Sequence, residues 1–75
     1  MDITDFILKF SEQFDETDTS QFTPETKFKT EQGWSSFVAL SIIAMVDEEY
    51  EKEVSGEDIR KSETIRDLYE IVQTK

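Results

Sequence analysis

Apolar residues recur at helical spacing from the first positions of the chain. Ile3, Phe6, Ile7, Phe10 and Phe14 stand at offsets 0, 3, 4, 7 and 11. On a helix they fall within about 100° of arc, a single stripe. The spacing predicts a helix over 3–14, with Asp2 as N-cap, Asp5 as its capping-box partner, and Leu8 off the stripe and exposed. Residues 15–33 carry no sustained period and are rich in Asp, Glu, Thr, Ser and Gln. They predict a long loop, which in a compact domain needs anchors or a function. Phe22 and Phe28 are the anchors, and Thr23-Pro24-Glu25 reads as an N-cap followed by proline at N1, one helical turn.

The segment WSSFVALSIIAMVDEEY at 34–50 predicts the longest helix, opening at Ser35 or Ser36 and running to Tyr50. With Phe37 at 0° and about 100° per residue, Ala39, Ile42, Ile43, Val46 and Tyr50 fall between about 140° and 240°, a sufficient core face. Phe37, Leu40 and Ala44 fall opposite, between about 300° and 360°. Ser41 and Glu48 extend that second face and Asp47 borders it. A helix of a small domain seldom buries both faces, so this one offers an apolar docking strip rimmed by acid, unless the long loop folds over it. Ser55 with Asp58 predicts a capped short helix at 57–61, with Ile59 turned inward. Thr64 with Asp67 predicts another capping box. It opens a last helix whose Ile65, Leu68, Tyr69 and Val72 make an i, i+3, i+4, i+7 stripe. No segment has the period of a strand. The expected fold class is all-α: a four-helix bundle with a short third helix and a long first loop, one domain over 1–75.

Composition narrows the chemistry. A chain of 75 residues has a thin core, which disfavours a deep enclosed active site. The absence of both Cys and His removes disulfides, thiolate or imidazole metal ligands, a Cys nucleophile and the commonest general base. The net charge is −10 with only eight Lys and Arg, which repels nucleic acid and anionic membranes and attracts basic protein surfaces. The acidic start Met1-Asp2-Ile3-Thr4-Asp5 is unlike a signal peptide, and no apolar run approaches the roughly 20 residues of a membrane span. A cytoplasmic protein is expected.

Few residues remain as candidate sites. Trp34, just before a helix start, has the place of a packing staple. Ser35 and Ser36 lie where a serine caps a helix, or where a modified hydroxyl would set a phosphate against free N–H groups and the helix dipole. An N-cap side chain turns back to the N–H of N2 or N3, so a capping Ser35 leaves Ser36 free to point outward. The acidic run from Asp47 to Asp58 is a solvated face that also suits a basic partner. Asp15, Thr17 and Thr19 hint at a calcium loop, but Ser20 and Thr26 stand where that motif needs Gly and Glu. Asp47 and Glu51 have a metal-pair spacing that is commonplace on acidic helices.

Taken together, Thr23-Pro24-Glu25-Thr26-Lys27-Phe28, Gly33-Trp34-Ser35-Ser36-Phe37, Ile42-Ile43-Ala44-Met45-Val46-Asp47-Glu48-Glu49-Tyr50, Ser55-Gly56-Glu57-Asp58-Ile59 and Thr64-Ile65-Arg66-Asp67-Leu68 resemble the acyl carrier protein family over about 23–72. The family motif is Asp-Ser-Leu at the start of the second helix, often after Trp. By that resemblance Ser36 takes the motif serine and would carry 4′-phosphopantetheine, a covalent arm that a separate phosphopantetheinyl transferase takes from coenzyme A. The arm brings the reactive sulfur that a chain without Cys lacks. The second helix would be the recognition helix. Ser35 replaces the family's Asp, which keeps a cap and loses its charge. Phe37 replaces Leu, and Val38 and Ser41 are uncharged where many members are acidic, which points to a different partner set.

The resemblance implies a non-catalytic, monomeric, discrete acyl carrier, bearing thioesters in fatty-acid, polyketide or related lipid biosynthesis. Its partners would be the transferase and acyl-transferring and condensing enzymes with basic surfaces, docking on Phe37, Leu40, Ser41, Ala44, Asp47 and Glu48. The competing readings are a peptidyl or D-alanyl carrier, and an acidic docking module without a prosthetic group.

Overall fold

Phe6, Phe10 and Phe28 are wholly buried and meet ring to ring, with centroids 6.0 Å apart for Phe6–Phe10 and 5.1 Å for Phe10–Phe28. The computed structural model describes residues 2–14 and 19–75. Among these it contains four α-helices and no strand: α1 (Ile3–Ser11), α2 (Ser36–Tyr50), α3 (Gly56–Lys61) and α4 (Ile65–Thr74), with a 3-10 turn at Phe28–Thr30. Helix α1 packs on α4 and α2, and α3 packs on α2 and α4. None of these helices is long and apolar enough to cross a membrane.

Helix α1 is shorter than its apolar stripe. It stops at Ser11, whose hydroxyl donates to the Ile7 carbonyl at 2.7 Å, a bond that competes with the regular ladder. The next N–H groups, of Gln13 and Phe14, bond carbonyls three residues back. This tighter winding still delivers Phe14 to the core. Asp2 caps the helix through Thr4 N. Asp5 does not complete the expected box: its Oδ2 accepts from the Tyr50 hydroxyl at 2.7 Å and pairs with Lys9 at 3.2 Å. Leu8 is exposed as the stripe predicts.

The long connection is held by aromatic anchors. Phe22 meets Phe14 edge-on at 5.2 Å, and Phe28 meets Trp34 at 5.2 Å. Thr23–Glu25 form a turn closed by Thr26 N to Thr23 O, with the Thr23 hydroxyl accepting from Glu25 N. The helical winding comes later, at Phe28–Thr30. The carbonyls of Thr26 and Pro24 accept from Ile65 N and Arg66 N at 3.1 and 2.9 Å. They satisfy the first donors of α4, which a helix leaves unpaired by construction. Asp15 and Thr17 of the calcium-like run lie outside the described residues.

Both expected capping boxes form, at Ser55/Asp58 and Thr64/Asp67. Backbone N–H groups of Thr64 and Glu63 hold the Asp67 carboxyl below its usual range. Ile59, Ile65, Leu68 and Val72 are buried and Tyr69 is half-buried. On α2 the buried arc is rotated from the expected face. Val38, Ile42, Met45 and Val46 are buried, while Ala39, Ile43 and Tyr50 are only half-buried. Met45 borders the groove against α1, so α1 covers a flank that Ala39 and Tyr50 had pulled the expected face away from. Val38 is therefore a core residue, and its lack of charge reports packing, not partner choice.

Candidate functional site

The site is built at the start of α2, where Trp34 fixes the entering chain. Its indole packs on Phe28 and, at 6.1 Å, on Phe14. Ser35 follows in extended backbone (φ −160°, ψ 170°) as the N-cap. Its Oγ accepts from Val38 N at 3.3 Å and its carbonyl from Ala39 N at 3.0 Å. Ser36 is the first helical residue and is exposed. Among the described residues its hydroxyl has no hydrogen-bond partner, and neither have the N–H groups of Ser36 and Phe37. Both serines are exposed, and they differ in bonding: the Ser35 hydroxyl is engaged as a cap, the Ser36 hydroxyl stands free at a positive helix end.

Along α2 from Ser36 runs the expected strip. Phe37 and Leu40 are 69% and 65% exposed; Ala44, Asp47 and Glu48 are exposed and Ser41 is half-buried. The described part of the loop, residues 19–35, does not fold over these side chains. It is spent instead on Phe14, Trp34 and the start of α4. The helix ends without a basic residue in its last turn, so Asp47, Glu48 and Glu49 lie at its negative end and add to the acid field there. Glu51 closes it in the left-handed conformation (φ 56°), its N–H still bonding the Asp47 carbonyl at 3.0 Å.

A groove of about 400 Å³ separates α2 from α3 and opens beside Ser36. Trp34, Ala39, Leu40, Ile43 and Ile59 supply its apolar lining, and Lys29 and Arg60 also line it. These two cations were not singled out by the sequence. The signal was available: Lys27, Lys29, Arg60 and Lys61 are half of all the basic residues and fall in two short runs.

Among the described residues no three His, Cys, Asp or Glu side chains converge to hold a metal ion. A thin acidic helical bundle with an exposed hydroxyl at the head of its longest helix has the form of a carrier that other proteins act upon. Residues 5–72 match the family model described as the phosphopantetheine attachment site, and the chain belongs to this family of phosphopantetheine-binding carrier domains. Its members are non-catalytic, carry covalent 4′-phosphopantetheine and are modified by phosphopantetheinyl transferases. The residues at the start of α2 fit such a group. An exposed hydroxyl can enter a phosphodiester, and adjacent unpaired N–H groups at a helix N-terminus favour its anionic oxygens. When bound, the arm supplies a terminal thiol able to hold an acyl group as a thioester.

Proposed function

We propose that the chain is a discrete acyl carrier, one domain over 1–75, with its arm on Ser36. The observation that carries this is the division of labour between the two serines. Ser35 Oγ is occupied by Val38 N, whereas Ser36, exposed like Ser35, stands at N1 with its hydroxyl unbonded among the described residues. The roles of this chain's residues are then simple. Trp34 and the Ser35 cap hold the helix start in place, and the N–H groups of Ser36 and Phe37 receive the phosphodiester charge. The strip of exposed Phe37, Leu40 and Ala44 with half-buried Ser41, rimmed by Asp47 and Glu48, receives acyl-transferring and condensing enzymes whose docking faces are basic. Charges of that kind steer encounter and fix register.

An acyl cargo is favoured over an aminoacyl one by the apolar lining of the groove beside Ser36. Fatty-acid, polyketide or related lipid synthesis in the cytoplasm is the setting that fits, with the carrier acting as a monomer. The test is intact-mass analysis of the protein purified from its native cells, before and after thioester cleavage by hydroxylamine. A releasable acyl mass on a phosphopantetheinylated chain supports the reading. A releasable amino acid makes it a peptidyl or D-alanyl carrier, and an unmodified chain makes it a docking module.

A further inference from the structure

The protein carries a net charge of −10, yet four of its eight cations lie together. Lys27, Lys29, Arg60 and Lys61 line one cleft between the first loop and α3. Lys29 and Arg60 also line the α2–α3 groove that contains Ser36. Lys29 Nζ donates to the Arg60 carbonyl at 2.8 Å, which ties the Lys29 ammonium to the α3 backbone at Arg60. Their acidic company is sparse. Arg60 pairs with Glu57 at 2.7 Å and Lys27 with Glu63 at 3.8 Å, all four side chains more than 60% exposed. Exposed pairs of this kind contribute little and exchange readily. Among the described residues Lys29 and Lys61 have no ion-pair partner.

The negative end of α3 accounts for some cations nearby. It does not account for two of them lining the groove of the modifiable serine in a protein whose remaining surface is acidic. We infer that Lys29 and Arg60 form an anion subsite that draws the negatively charged part of the tethered group onto the α2–α3 groove. This rests on Ser36 as the attachment point. Two groups share the required chemistry: the phosphodiester joining the arm to Ser36, and a carboxylate at the far end of an acid-terminated acyl chain. The lining suits either, because Trp34, Leu40, Ile43 and Ile59 offer apolar surface and the two cations share the same groove. A purely apolar cargo gains nothing from them.

The experiment uses four forms of the full chain: unmodified, with the bare arm, with a hexanoyl arm and with an adipoyl arm whose terminal carboxyl is labelled with carbon-13. Peptide mapping first locates the arm, so a failure of the Ser36 assignment is read separately. Side-chain resonances of Arg60 Nε and Lys29 Nζ are then compared. Shifts on adding the bare arm, lost in Lys29→Gln and Arg60→Gln, assign the phosphodiester. Shifts confined to the adipoyl form assign the cargo carboxylate. In that case its titration midpoint also lies about three quarters of a pH unit lower in the native chain than in Arg60→Gln, the effect of one cation at about 4 Å even in a water-like dielectric. Arg60→Gln keeps the Lys29–carbonyl tie, so it stands if Lys29→Gln unfolds. Equal Arg60 and Lys29 resonances in all four forms would overturn the inference.

Discussion

The Tyr50 hydroxyl donates to Asp5 Oδ2 at 2.7 Å across 45 residues of sequence. The last turn of α2, which bears the acidic rim of the docking strip, is thereby tied to the first turn of α1. Lys9 reinforces the tie, pairing with Asp5 and with Glu49, each at 3.2 Å, while its ammonium stands 5.2 Å from the Tyr50 ring centroid. The hydroxyl, and after it the Lys9 ammonium, hold the Asp5 carboxyl below its ordinary value, and burial together with the Asp5 bond raises the Tyr50 phenol. Because the folded carboxyl is depressed, its stabilising contribution is complete above the unfolded value near 3.8 and is lost as pH falls through the lower folded one. Tyr50→Phe should move the Asp5 titration, followed by carboxyl-carbon NMR, back toward 3.8. An unmoved Asp5 would mean that the hydroxyl bond does not persist in solution.

Glu51 caps α2 at φ 56°, a conformation in which a Cβ is costly and glycine is at ease. Glu51→Gly should stabilise the fold by about 0.5–1 kcal/mol, the relieved strain exceeding the entropy that glycine gives back to the unfolded chain. It also removes one charge from the acidic run. Glu51→Gln, which removes only the charge, is the control in a urea melt. A glycine variant no more stable than the glutamine variant would refute the strain argument.

Seven acids between positions 47 and 58 are offset there only by Lys52. Repulsion among them opposes the compact state, so the melting temperature should rise across a sodium chloride series at neutral pH. A flat or falling series would show that the clamp of Asp5, Lys9 and Glu49 matters more than the repulsion.

Association should respond in the opposite sense. Glu48 is exposed beside Ala44 on the strip, and exposed charges are screened beyond about 8 Å at physiological ionic strength. Glu48→Lys and added salt should each slow binding to a basic partner, such as a phosphopantetheinyl transferase, and Glu48→Lys should slow association more than it harms folding. Stopped-flow association rates indifferent to both would remove this strip as the docking surface.

How much of this was legible depends on the kind of signal. Helices α3 and α4 were readable from their capping boxes and the stripe from Ile65 to Val72, because caps and periodicity act locally. The α2 core face was misjudged because which flank is covered depends on where α1 lies, and Val38 and Met45 carry no local mark of that. Asp5 had the spacing of a capping partner, but a hydroxyl 45 residues away took its carboxylate. Lys29 and Arg60 are 31 positions apart and meet only through the fold. Ser36 stood out because its distinction from Ser35 is itself local, a matter of cap against first helical residue.

The central claim is tested most directly by treating the native chain, Ser35→Ala and Ser36→Ala with coenzyme A and a phosphopantetheinyl transferase, and reading intact mass followed by peptide mapping. The Ser35 cap bond is long at 3.3 Å, so Ser35→Ala should cost about 0.5–1 kcal/mol, the lower half of the usual range for a lost cap. That variant should still gain one phosphopantetheine unit, and Ser36→Ala should fold as the native chain does and gain none. An arm mapped to Ser35, or a folded Ser36→Ala that is still modified, would contradict the account.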